Sequence, residues 1–184
     1  MQIVMEDIFN GFVQKYETFQ INQEKASAWR YTREILRHFD QLGFMLGFQT
    51  MYEKKFVRAK ERKYDLIWYV DDENDPYLHV EHENGLTWKV LNDTVSKIDE
   101  SVCDNIIAIM YPGNLELWQE VVDLLNKKQK SWGTGYNILV ILDPYFIDNK
   151  HTLEGYFFRE KKNTMVSATI RVNKDTGNFY AFFE

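Results

Sequence analysis

YDLIWYVDDENDPYLHVEHEN, residues 64–84, sets two extended segments on either side of an acidic turn. From Leu66 to Val70 the first segment is unbroken apolar, the pattern of a strand covered on both faces and lying centrally in a sheet. The second segment alternates. Successive side chains of a strand point to opposite faces, so Tyr77, His79, Glu81 and Glu83 project one way and Leu78, Val80 and His82 the other. Two carboxylates therefore share a face, about 6.6 Å apart along the strand.

Working outward, Asn22 caps a helix predicted over Gln23–Asp40, with Glu24 in its first turn and Trp29, Leu36 and Phe39 at helical spacing. Gly43 marks its end. Residues 44–52, FMLGFQTMY, read as a strand, and the charged residues after them as a loop or hairpin arm. Downstream, Leu86–Ile98 carries an apolar stripe of Val90, Leu91, Val95 and Ile98 and reads as a helix. Asn105–Tyr111 is a buried strand closed by Pro112-Gly113, Leu115–Lys128 a second amphipathic helix, and Ile138–Leu142 a strand ended by Asp143-Pro144. Thr164–Val172 and Phe179–Phe183, joined by the turn Asp175-Thr176-Gly177, read as a hairpin. The fold class expected is α/β, a mixed central sheet flanked by helices. With no repeat, low-complexity run or linker, residues 1–184 read as one domain. Its core is 23–142, and 151–184 forms a C-terminal β-hairpin extension.

A chain of 184 residues with 45% hydrophobic and 27% charged residues has enough apolar surface for a packed core, which excludes a disordered or fibrous chain. The longest apolar run, Ile106–Tyr111, is six residues, against roughly 20 for a membrane-spanning helix. Glu6 and Asp7 near the amino terminus, with no basic flank before an apolar stretch, do not read as a secretory signal. The single cysteine, Cys103, has no partner for an internal disulfide, and the expected setting is cytoplasmic.

Net charge is −6, so any nucleic-acid contact must be local rather than spread over the surface. The charges are segregated. Lys54, Lys55, Arg58, Lys60, Arg62 and Lys63 form a basic stretch interrupted only by Glu61, and Asp71, Asp72, Glu73, Asp75, Glu81 and Glu83 follow without a Lys or Arg among them. Carboxylates beside cations are what a site handling phosphate through metal ions requires, because the acids bind the metal while Lys and Arg hold the ester. Charged loops between strands are more commonly solvated turns. Glu81 and Glu83 could bind one hard divalent ion, and Asp65 on the preceding strand could add a third oxygen.

In Asp65, Glu81 and Glu83, and in the order of elements around them, residues 23–142 resemble the restriction-endonuclease-like, or PD-(D/E)XK nuclease, superfamily. The resemblance implies that Asp65 and Glu81 are ligands of magnesium or manganese and that a water attacks the phosphodiester. It also implies that the basic stretch contacts nucleic acid, DNA ahead of RNA. Glu83 stands where the motif usually has Lys, a variant in which the second Glu takes the base or metal role, and Tyr64 stands where the motif has Pro. Lys97, on the following helix, is the residue that could replace the motif lysine, as some members relocate it. Glu24 resembles the acid that some members aim at the metal from the first helix. Both also have plain structural uses, Lys97 as a cation at a helix C-terminus and Glu24 as an acid at a helix start. Loss of turnover would leave a nuclease-like domain serving as a binding or regulatory partner.

Other chemistry is weaker. His79 shares the face of Glu81 and Glu83 and could join them on zinc, but no HExxH or cysteine-rich spacing accompanies it. His82 points to the apolar side, as a core histidine does. No Gly-x-Ser-x-Gly elbow and no glycine-rich phosphate loop is present. Tyr156, Phe157, Phe158, Phe179, Tyr180, Phe182 and Phe183 could stack bases, although sheet core or a homodimer contact is the commoner use.

Overall fold

The structure is a computed structural model that describes residues 3–20, 28–56, 62–160 and 162–184. Its elements are α1 (Met5–Gln20), α2 (Ala28–Met45), β1 (Gln49–Phe56), β2 (Arg62–Tyr69), β3 (Leu78–Glu83), α3 (Trp88–Asp99), β4 (Asn105–Met110), α4 (Leu115–Gln129), β5 (Asn137–Leu142), β6 (Thr152–Arg159), β7 (Lys162–Val172) and β8 (Phe179–Phe182). The eight strands form one mixed sheet in sequence order. β3, β4 and β5 are parallel and every other neighbouring pair is antiparallel. Parallel neighbours need a long crossover, and α3 and α4 supply the two. No helix among the described residues is long and apolar enough to cross a membrane.

Strand alternation divides the core between the two faces. Leu66, Trp68, Leu78, Val80, Ile107, Ile109, Leu139 and Ile141 pack under α1 and α2. Ile106, Ala108, Met110, Ile138, Val140 and Leu142 pack under α3 and α4, against Leu91, Val95, Trp118 and Val121. β4 and β5 are thus covered on both sides, which accounts for their unbroken apolar sequences. β2 is also covered on both faces, but it is second from the sheet edge rather than central, because only β1 lies beyond it.

Four expectations need correction. Helix α1 was not anticipated, although Met5, Ile8, Phe9, Phe12, Val13, Tyr16 and Phe19 recur at helical spacing and are all buried. The second helix does not stop at Gly43. It continues to Met45 and closes at Gly47, whose positive φ of 86° and N–H bond to Phe44 make the turn. Gly43 lies inside the helix because a Cβ there would sit 2.8 Å from the Trp68 indole. The strand expected over 44–52 therefore begins only at Gln49. Finally, the expected hairpin is present as β7 and β8, but β6, for which no strand was expected, pairs with β5 and carries the hairpin into the same sheet.

Candidate functional site

Asp65, Glu81 and Lys97 come together on the α3 side of the sheet. Leu66 pairs with Val80 and Ile67 with His79, so Asp65 stands one step further along, beside Glu81 and His82. Its carboxylate replaces the strand backbone as acceptor, with Oδ2 taking the His82 N–H at 2.8 Å. Glu81 points under α3 because Leu78 and Val80 are drawn to the opposite apolar face. It is only 2% exposed. Lys97, in the last turn of α3, reaches back so that its Nζ donates to Glu81 Oε2 at 2.7 Å. Glu81 Oε1 is buried and accepts no hydrogen bond.

Two carboxylates here share one ammonium, and their protonation reflects that shortage. Burial, then the negative charge of Asp65, pushes the Glu81 carboxyl up to about 8 against the pull of Lys97. Burial likewise raises Asp65, opposed by the His82 N–H and by Lys97. Burial alone would lower the Lys97 ammonium, but Glu81, Asp65 and Asp93 together carry it above its ordinary value.

Asp65 and Glu81 are the residues that could hold a hard divalent cation. Glu81 Oε1 is an orphaned buried acceptor, and a metal ion would supply the positive charge that the two acids lack. Two protein carboxylates suit magnesium or manganese, which keep several waters. Among the described residues no group of three His, Cys, Asp or Glu is placed to ligate a metal. Glu83, expected as a third oxygen, is the last residue of β3, and its Oε1 accepts the Gly85 N–H at 2.8 Å. Glu24 lies outside the described residues.

The basic stretch is less available than its sequence suggests. Lys54 pairs with Glu73 at 2.6 Å and Lys63 with Glu53 at 2.8 Å, while Lys55 is exposed. Arg58, Lys60 and the Arg62 side chain lie outside the described residues. His79 is no zinc ligand in this arrangement. It is fully buried, stacked on Tyr64 at 4.3 Å, with Nδ1 2.9 Å from Ser101 Oγ and 3.6 Å from Cys103 Sγ. Burial pushes the Cys103 thiol up to about 12, which makes it inert as a nucleophile.

One polar cluster had been missed. Asp143, Tyr16, Tyr31, Tyr111 and His82 meet beyond the carboxyl ends of the parallel strands, on the α1–α2 side. Asp143 follows the apolar run of β5, and its place before Pro144 reads in sequence as a turn signal only. Comparison with protein-family models, with characterised proteins and with solved structures gave no match to this chain.

Proposed function

We propose that the protein is a metal-dependent hydrolase of nucleic-acid phosphodiester bonds, built on a restriction-endonuclease-like scaffold with its lysine relocated to α3. The observation that carries this reading is Glu81 Oε1, buried and unpartnered beside Asp65 and Lys97. A buried carboxylate oxygen left bare costs free energy in the isolated chain, and a bound cation removes that cost. Asp65 and Glu81 would hold magnesium or manganese. When bound, such an ion polarises the phosphoryl oxygen and lowers the pKa of a water on it. Glu81 gives up its proton on binding, and Lys97, released from neutralising Glu81 alone, offers an ammonium to the charge that develops on the phosphate. The α3 helix keeps Lys97 on the acids through Leu91, Val95 and Ile98, which anchor it in the core.

The test is cleavage of single- and double-stranded DNA and RNA by the purified protein with Mg2+ or Mn2+ and with EDTA. Metal-dependent products that disappear in Asp65→Asn, Glu81→Gln and Lys97→Ala support the reading. Cleavage that survives all three substitutions refutes it. A second reading, a nuclease-like domain that binds a partner without turnover, is favoured by the pairing of Lys54 and Lys63 with the protein's own acids. Glu81-dependent metal binding with no cleavage on any substrate would select it.

A further inference from the structure

We infer that the hydrogen-bonded chain from Asp143 through Tyr31 and Tyr111 to His82 is a positioning device for the carboxylate pair, acting across the sheet from it. Its bearing on catalysis rests on the proposed reading of that pair as a metal site.

Asp143 is fully buried, and among the described residues no cation is bonded to it. Its carboxylate is held by donors alone: the Tyr16 hydroxyl at 2.9 and 3.0 Å, the Tyr31 hydroxyl at 3.2 Å and the Tyr145 N–H at 3.0 Å. A hydrogen bond joins Tyr31 to Tyr111, and the Tyr111 hydroxyl lies 3.0 Å from His82 Nε2. The chain thus joins Asp143 to the His82 ring through two tyrosine hydroxyls, and the tautomer of His82 sets which way the hydroxyl protons point.

The other end of the chain is the backbone of the site. His82 lies between Glu81 and Glu83, and its own N–H is the one that Asp65 accepts. On its β4 side the end of β3 is fixed by the parallel ladder, where His82 pairs with Ile109 and Glu83 with Met110. On its β2 side the paired residues end at Leu66–Val80, and the Asp65 carboxylate takes over. With the imidazole anchored on Tyr111, the segment resists rotation about its axis. Its N–H stays on Asp65 and the Glu81 side chain stays on the opposite face. The chain touches neither metal nor substrate in this scheme, so these are positioning residues.

The test uses the full chain and two readouts, exchange of the residue-82 backbone N–H by NMR and Mn2+ binding by electron paramagnetic resonance. Tyr111→Phe keeps the ring and removes the relay, Tyr31→Phe breaks the chain one step further on, and His82→Leu removes its end. His82→Gln keeps an amide, able to donate or to accept, near the Nε2 position. Each broken chain is expected to speed exchange at residue 82 by roughly fivefold, about one hydrogen bond's worth, while the Ile107 N–H in the sheet is unchanged. Mn2+ affinity should fall by about tenfold or more, and His82→Gln should recover both. Unchanged exchange and unchanged Mn2+ affinity in Tyr111→Phe and Tyr31→Phe would overturn the inference. If the wild-type protein binds no Mn2+, or Glu81→Gln binds it equally well, the metal-site reading falls. The exchange measurement still decides the positioning claim, faster exchange supporting it and unaltered exchange ending it.

Discussion

Glu81 gives the metal-free protein a pH dependence that Glu81→Gln should remove. The unfolded chain has Glu81 ionised at any pH well above its ordinary 4.5, whereas in the folded protein burial and Asp65 hold the carboxyl near 8. Below pH 8 the native state therefore binds a proton that the unfolded state does not. Stability from this group is present at low pH and is lost as pH rises through 8. Between pH 9 and pH 7 the linkage integrates to about 1 kcal/mol, which for a domain of this size is a Tm change of about 2–4 °C. His79 and His82, held down to about 3 by burial, and Cys103, held up to about 12, also contribute to the pH profile. They are common to both proteins and cancel in the difference. The assay is urea or thermal unfolding of wild type and Glu81→Gln in EDTA at pH 7, 8 and 9. The variant is expected to be flatter by about 1 kcal/mol over that range. Parallel profiles would mean that Glu81 is ionised in the native protein and that its bare oxygen has found another partner, which would remove the reason to place a cation there.

Three further outcomes follow from the packing. Gly43→Ala forces a Cβ to within 2.8 Å of the Trp68 indole and should cost about 1–3 kcal/mol in chemical denaturation. Asp143→Ala strips the buried Tyr16 hydroxyl and the Tyr145 N–H of their acceptor and should destabilise the fold by about 2–4 kcal/mol, more than Asp143→Asn, which keeps one oxygen. Cys103 should react with a thiol reagent at pH 8 only as fast as the protein opens, and a rapid stoichiometric reaction in native buffer would contradict its burial and raised pKa.

The parts legible in the sequence were those whose surroundings are uniform. β4 and β5 are apolar throughout because helices cover both of their faces, and β3 alternates because its two faces meet different things, an apolar core and a pair of charges. Glu81 and Glu83 are legible through that alternation, Asp65 through its place on the preceding strand, and Lys97 through the resemblance, which lets a lysine on the next helix replace the one in the motif. What escaped depended on contacts between segments remote in sequence. Gly43 reads as a helix stop unless Trp68 is known to pass beside it. Asp143 reads as a turn residue unless Tyr16 and Tyr31 are known to converge on it from two helices. Glu83 obeys the alternation, but the bond that its Oε1 accepts from the Gly85 N–H, where the strand ends, is not written in the spacing. Helix α1 differs from these, because its apolar residues recur at helical spacing within one segment of the sequence.

Mn2+ titration of the purified wild-type protein followed by electron paramagnetic resonance, alongside Asp65→Asn and Glu81→Gln, tests the central claim most directly. Saturable binding by the wild type that weakens at least tenfold in each variant, and that tightens as pH rises from 7 toward 9 while the proton leaves Glu81, is the predicted result. Binding that is absent, or equal in all three proteins, would contradict it.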